Sequence, residues 1–182
     1  MKHIVAIFLG IGLLALCGCT SENAPQPPQK LPAVSLSAAD KEKRAAFQKD
    51  LLSVGNLTDR AVKLATDEVK NVLKGGKVSL DLPSILDKAQ AECLRSGATL
   101  AKKAVPAALP PEMKSLLNEG TAGLIAANKA YAESFDAIKS FAADKNPMVL
   151  LEYRKKSSQA QGLYRAAAAK FKVIMTAAGV AQ

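Results

Sequence analysis

The 182-residue chain contains no tryptophan, one histidine and three cysteines, and aromatic residues make up only 4% of it. The one imidazole is His3, inside an N-terminal segment that reads as a removable leader, so the body of the protein has none. Ser-His-Asp and Cys-His catalysis, His-ligated metals and His-held haem are therefore not expected. Strand-like alternation is almost absent too, and no internal repeat of roughly 20 to 50 residues stands out, which argues against a solenoid. What is plentiful is apolar side chains, 49% of the chain, and positive charge, with 25 Lys and Arg against 16 Asp and Glu. That balance describes one ordinary globular domain with appendages and a formal net charge of +9.

Met1, Lys2 and His3 make a short basic start, and Ile4 to Leu16 is an uncharged apolar run of 13 residues, the length of a signal-peptide core. A membrane-spanning helix needs about 20 apolar residues, and this run stops short of that before Thr20-Ser21-Glu22. The residues that follow, Leu16-Cys17-Gly18-Cys19, resemble the lipobox of bacterial lipoproteins, an aliphatic residue and two small ones ahead of the cysteine that is lipidated. Gly18 sits correctly in front of Cys19, whereas reading Cys17 as the acceptor would place Leu16 where a small residue belongs.

The resemblance implies that residues 1–18 are removed and that Cys19 becomes a lipidated N-terminus carrying acyl chains such as palmitate. Each buried methylene is worth about 0.8 kcal/mol, so several chains make a permanent anchor. In a Gram-negative host, Thr20 rather than Asp after the cysteine implies the outer membrane, facing the periplasm or the cell surface. An uncleaved N-terminal anchor is the alternative and gives the same topology. The resemblance ends there and does not reach the rest of the chain.

Cleavage removes one charged residue, Lys2, and lowers the net charge to +8. It leaves Cys93 as the only free thiol, so no intramolecular disulfide is expected and stability has to come from the core. Residues 19–36 read as the lipidated cysteine and a flexible linker, with four prolines between Thr20 and Val34. At about 3.1 Å per residue in polyproline II, such a tether reaches roughly 45 Å.

Residues 37–182 read as the folded domain, all-α, with four amphipathic helices. The first is predicted from Ala38 to Lys74, opened by Ser37 with Asp40 three residues on and closed by Gly75-Gly76. Its stripe is Phe47, Leu51, Val54, Ala61, Ala65, Val69 and Val72, and Gly55-Asn56 is a place where it could kink or split. The second runs from about Pro83 to before Pro106, with Leu86, Cys93 and Leu100 seven residues apart. The third spans about Pro111 to Ala143, its first half softened by Gly120 and Gly123. The fourth is capped by Asn146, starts at Pro147 and ends at Gly179. Its seam reads Leu150, Tyr153, Ser157, Ala160, Tyr164, Ala167, Phe171, Ile174 and Ala178. Four such helices with short connections predict an antiparallel up-down-up-down four-helix bundle.

Chemistry-bearing clusters are few. Glu133 and Asp136 lie one helical turn apart, and the register of Tyr131, Phe135 and Ile138 turns Glu133 outward, which predicts a solvated face. The heptad position of Cys93 predicts a core thiol of raised pKa rather than a reactive one. No catalytic residue, no metal ligand and no cofactor is expected, and the protein is read as not an enzyme. Positive charge is the exposed feature with functional content: Arg154, Lys155 and Lys156 fill the gap between seam residues Tyr153 and Ser157, with Arg165, Lys170 and Lys172 further along. The first helix adds Lys41, Lys43, Arg44 and Lys49, and the second adds Lys102 and Lys103. Such faces attract anionic partners, whether phospholipid heads, lipopolysaccharide, peptidoglycan or an acidic protein surface. Nucleic acid is disfavoured by the compartment. The expected function is a lipid-anchored envelope adaptor that binds a protein partner at the membrane, with an anionic envelope polymer or lipid as the alternative ligand.

Overall fold

Ser37 shows how local chemistry starts the structure. Its backbone is extended (φ −60°, ψ 159°), its Oγ accepts the Asp40 N–H at 3.1 Å and donates to Asp40 Oδ2 at 2.6 Å. From this cap helix α1 runs Ala38–Leu73. The computed structural model describes residues 37–75, 79–144 and 146–177. It continues with α2 (Leu82–Ala101), α3 (Pro111–Asp144) and α4 (Pro147–Ala177), and among the described residues there is no strand. The leader, Cys19, the linker, Gly76, Ala178 and the predicted stop at Gly179 lie outside the described residues.

α1 ends where Gly75 takes φ +85°, a left-handed conformation that a Cβ would strain. α4 starts as its sequence predicts, with Pro147 in the first turn and the Met148 N–H donating to Asn146 Oδ1 at 3.0 Å. The break considered at Gly55 does not occur, and α1 is continuous through it. The Thr58 hydroxyl bonds back to the Val54 carbonyl at 3.1 Å within the same helix. Leu51, Thr58 and Ala65 are buried on both sides of the glycine, so packing holds one face in register across it.

Consecutive helices pack on one another through contacts whose numbers rise on one helix as they fall on the next. Asp50 meets Lys103 just beyond α2 at 2.7 Å, and Thr58 meets Ser96 at 2.5 Å. Asp87 meets Lys139 at 2.9 Å, and Gly97 lies against Asn128. Glu133 bonds Lys156, Gly123 lies against Ala167, and Glu119 meets Lys170 at 2.5 Å. α1 also touches α3, but no Cα of α1 comes within 8 Å of a Cα of α4 among the described residues.

Two apolar clusters fill the interior. One gathers Ala65, Val69, Leu86, Cys93, Phe135 and Tyr153, the other Phe47, Leu51, Leu100, Met113, Leu117 and Ile174. Along the helices a polar stretch separates them, with Thr58 on α1, Ser96 on α2 and Thr121 and Asn128 on α3, all buried. The seam of α4 divides accordingly. Tyr153, Ala160, Ala167 and Ile174 are buried, whereas Leu150, Ser157, Tyr164 and Phe171 are half-buried.

Candidate functional site: charged faces, a buried polar layer and two grooves

The six basic residues singled out on α4 separate into two sets. Arg154, Arg165 and Lys172 are spaced by eleven and seven residues, three and two turns, and so share one side of the helix. They and Lys155 are exposed and form no ion pair among the described residues. Lys156 and Lys170 turn instead toward α3, where they pair with Glu133 and Glu119. The Glu133 carboxylate holds the Lys156 ammonium above its usual pKa, and Lys170 together with Ser115 holds the Glu119 carboxyl below its own. Lys156 therefore leaves the outward trio that its place between Tyr153 and Ser157 suggests, and Glu133, its side chain 38% exposed, pairs with it at the solvent-facing edge of α3.

A further correction concerns α1. Lys41, Lys43 and Lys49 are exposed, but Arg44 is only 7% exposed, with Nε and Nη1 buried and without hydrogen-bond partners among the described residues. It stands seven residues before Leu51, on the stripe that continues to Thr58 and Ala65, so register carries it into the core against the preference of its charge.

The polar layer was not visible in the sequence. Asp59 on α1 accepts a hydrogen bond from the Tyr164 hydroxyl on α4 at 3.1 Å, a polar link between the first and last helices. Burial pushes the Asp59 carboxyl above its ordinary range, and the Tyr164 bond opposes that rise. Burial, with Asp59 nearby, lifts Tyr164 further and pushes Tyr131 up to about 12. Cys93 is fully buried, as its heptad position predicts, and burial with the Glu92 and Asp59 charges pushes its thiol up to about 12. At neutral pH the Cys93 thiol and the Tyr131 and Tyr164 hydroxyls therefore stay protonated and un-nucleophilic. Among the described residues no group of three or more His, Cys, Asp or Glu side chains is placed to hold a metal ion. No described helix is long and apolar enough to cross a membrane.

Two grooves mark the surface. Between α3 and α4, Glu133, Asp136, Glu152 and Lys156 line a polar one of about 330 Å³. Between α1 and α2, Leu57, Leu64, Ile85 and Ala89 form an apolar one of about 320 Å³, with Arg60 and Lys88 on its walls. Its sequence signal is the seven-residue spacing of Leu57 and Leu64, off the main stripe of α1. Comparison of the chain with protein-family models, with curated proteins and with solved structures finds no match.

Proposed function

We propose that the protein is a lipid-anchored adaptor of the bacterial cell envelope, held to the membrane through Cys19 and docking a protein partner with its helical body. The Leu16-Cys17-Gly18-Cys19 lipobox supports the anchor, and the pairwise helix contacts support an up-down-up-down antiparallel four-helix bundle behind a proline-rich tether. The observation that carries the docking reading is apolar exposure on helix bodies: Leu57, Leu64, Leu94, Met148 and Leu151 are each more than half exposed. On this reading the protein performs no catalysis, and in a Gram-negative host it lies at the outer membrane facing the periplasm or the cell surface.

The test is crosslinking in intact cells, then purification of the detergent-solubilised protein and mass spectrometry of what accompanies it. One abundant protein retained at high salt, where exposed charge pairs are screened, is the expected result. A second reading is favoured by Arg154, Lys155, Arg165 and Lys172, which stay exposed without ion-pair partners among the described residues: binding of lipopolysaccharide, peptidoglycan or phospholipid heads. Recovery of such material alone, lost as salt rises, overturns the adaptor reading in its favour.

A further inference from the structure

We propose that the groove between α1 and α2 is the docking site for an amphipathic helix of the partner protein, a helix that carries carboxylates beside its apolar face. The proposal rests on the adaptor reading and names its surface. Leu57 and Leu64 are 58% and 54% exposed and lie seven residues apart, so they stand about 10.5 Å apart along α1. That is the span of the i, i+3 or i+4, and i+7 anchors by which a helix lies in a groove. Ala61 and Ala89 keep the space between the two helices low, so an incoming backbone can approach.

Charge selects the occupant. The groove's own acid, Glu92, is already bonded to Arg95. Arg60 on the α1 wall and Lys88 on the α2 wall form no ion pair among the described residues. The apolar strip is thus flanked on both sides by uncompensated cations, which complement acidic residues along the edges of an apolar helix face and repel a basic one. An acyl chain fits less well, because lipid-like ligands bury most of their surface in enclosed cavities, and this is a shallow groove open to solvent.

The test has two arms. In the first, the detergent-solubilised full chain is titrated with two labelled helical peptides, alike in leucines at i, i+4 and i+7 and differing only in Glu or Lys at the flanking positions. The Glu peptide binds at least about tenfold more tightly, and the Arg60→Glu/Lys88→Glu variant reverses the order. Leu57→Asn/Leu64→Asn, whose side chains are exposed, weakens binding about tenfold while leaving the melting temperature in place. Equal binding of the two peptides overturns the proposal. In the second arm, photo-crosslinkers replace Leu57 or Leu64 in living cells, with Met148 and Leu151 as comparison sites. Crosslinks from 57 and 64 to an acidic helical segment of one protein support the groove. Crosslinks there to lipid alone overturn it. Protein crosslinks confined to 148 and 151 overturn the groove and leave the adaptor reading standing, whereas no protein crosslink from any of the four sites overturns both.

Discussion

Arg44 is the residue whose environment runs furthest against its chemistry. Its Nε and Nη1, taken out of water without a hydrogen-bond partner among the described residues, cost free energy that the surrounding packing has to offset. Methionine fills a similar length with an unbranched apolar chain. Arg44→Met is therefore expected to stabilise the fold, by about 1–3 kcal/mol, seen as a higher urea midpoint with an unchanged slope. A lower midpoint would show that the guanidinium contributes more than its burial costs. Nothing in the local sequence announces this side chain's fate, since Lys41, Lys43 and Arg44 read together as a basic surface run. Only the seven-residue step to Leu51 hints at it, and a charge ordinarily outweighs such a hint.

At the scale of the element, ends and faces were legible and contacts were not. Ser37 with Asp40, and Asn146 with Pro147, act within one turn, so the sequence alone locates those caps. The heptad of Leu86, Cys93 and Leu100 likewise gives the buried face of α2, each being 2% exposed or less. Gly120 and Gly123 read in sequence as soft points of α3, yet their importance lies in what they admit. The Phe171 ring lies over Gly120, where a Cβ would stand 2.8 Å from Cζ, and Ala167 packs against Gly123. Which side chain a glycine meets depends on the register between two helices, a relation no single-helix pattern contains. Gly120→Ala should displace the ring and lower stability by about 1–3 kcal/mol. Gly162→Ala, where a new Cβ meets nothing within 4 Å, should raise it by up to about 1 kcal/mol. Thermal unfolding of the pair checks both signs.

For the whole molecule, all three tyrosines, Tyr131, Tyr153 and Tyr164, have their hydroxyls lifted above the ordinary value of 10.0, in each case chiefly by burial. A group whose folded pKa exceeds its unfolded one binds its proton more tightly when folded. Its contribution to stability is complete below the unfolded value and is lost as pH rises through the folded value. Alkaline unfolding is thus expected to coincide with tyrosine ionisation: tyrosinate absorbance rises together with loss of helical circular dichroism, well above pH 10.0, and not before it. Early ionisation in a still-helical protein would contradict the burial of these rings. The all-α class was legible because periodicity is a local property. The Asp59–Tyr164 bridge, the Thr58–Ser96 pair and the capture of Lys156 by Glu133 join residues 105, 38 and 23 positions apart, and pairing over such distances emerges only when the helices dock.

The way the helices neighbour one another also sets the order in which they part. Close backbone approaches almost all join helices adjacent in the chain, so assembly closes short loops at small entropic cost, the topology of a fast folder. The interfaces are unequal: α3 with α4 is the most extensive, and α1 holds chiefly to α2. Helix α1, 36 residues long, is consequently the segment secured by the fewest neighbours. Hydrogen exchange is therefore expected to show the earliest opening in α1 and the latest in the α3–α4 pair, so the helix that bears Leu57 and Leu64 should also be the one the molecule releases first.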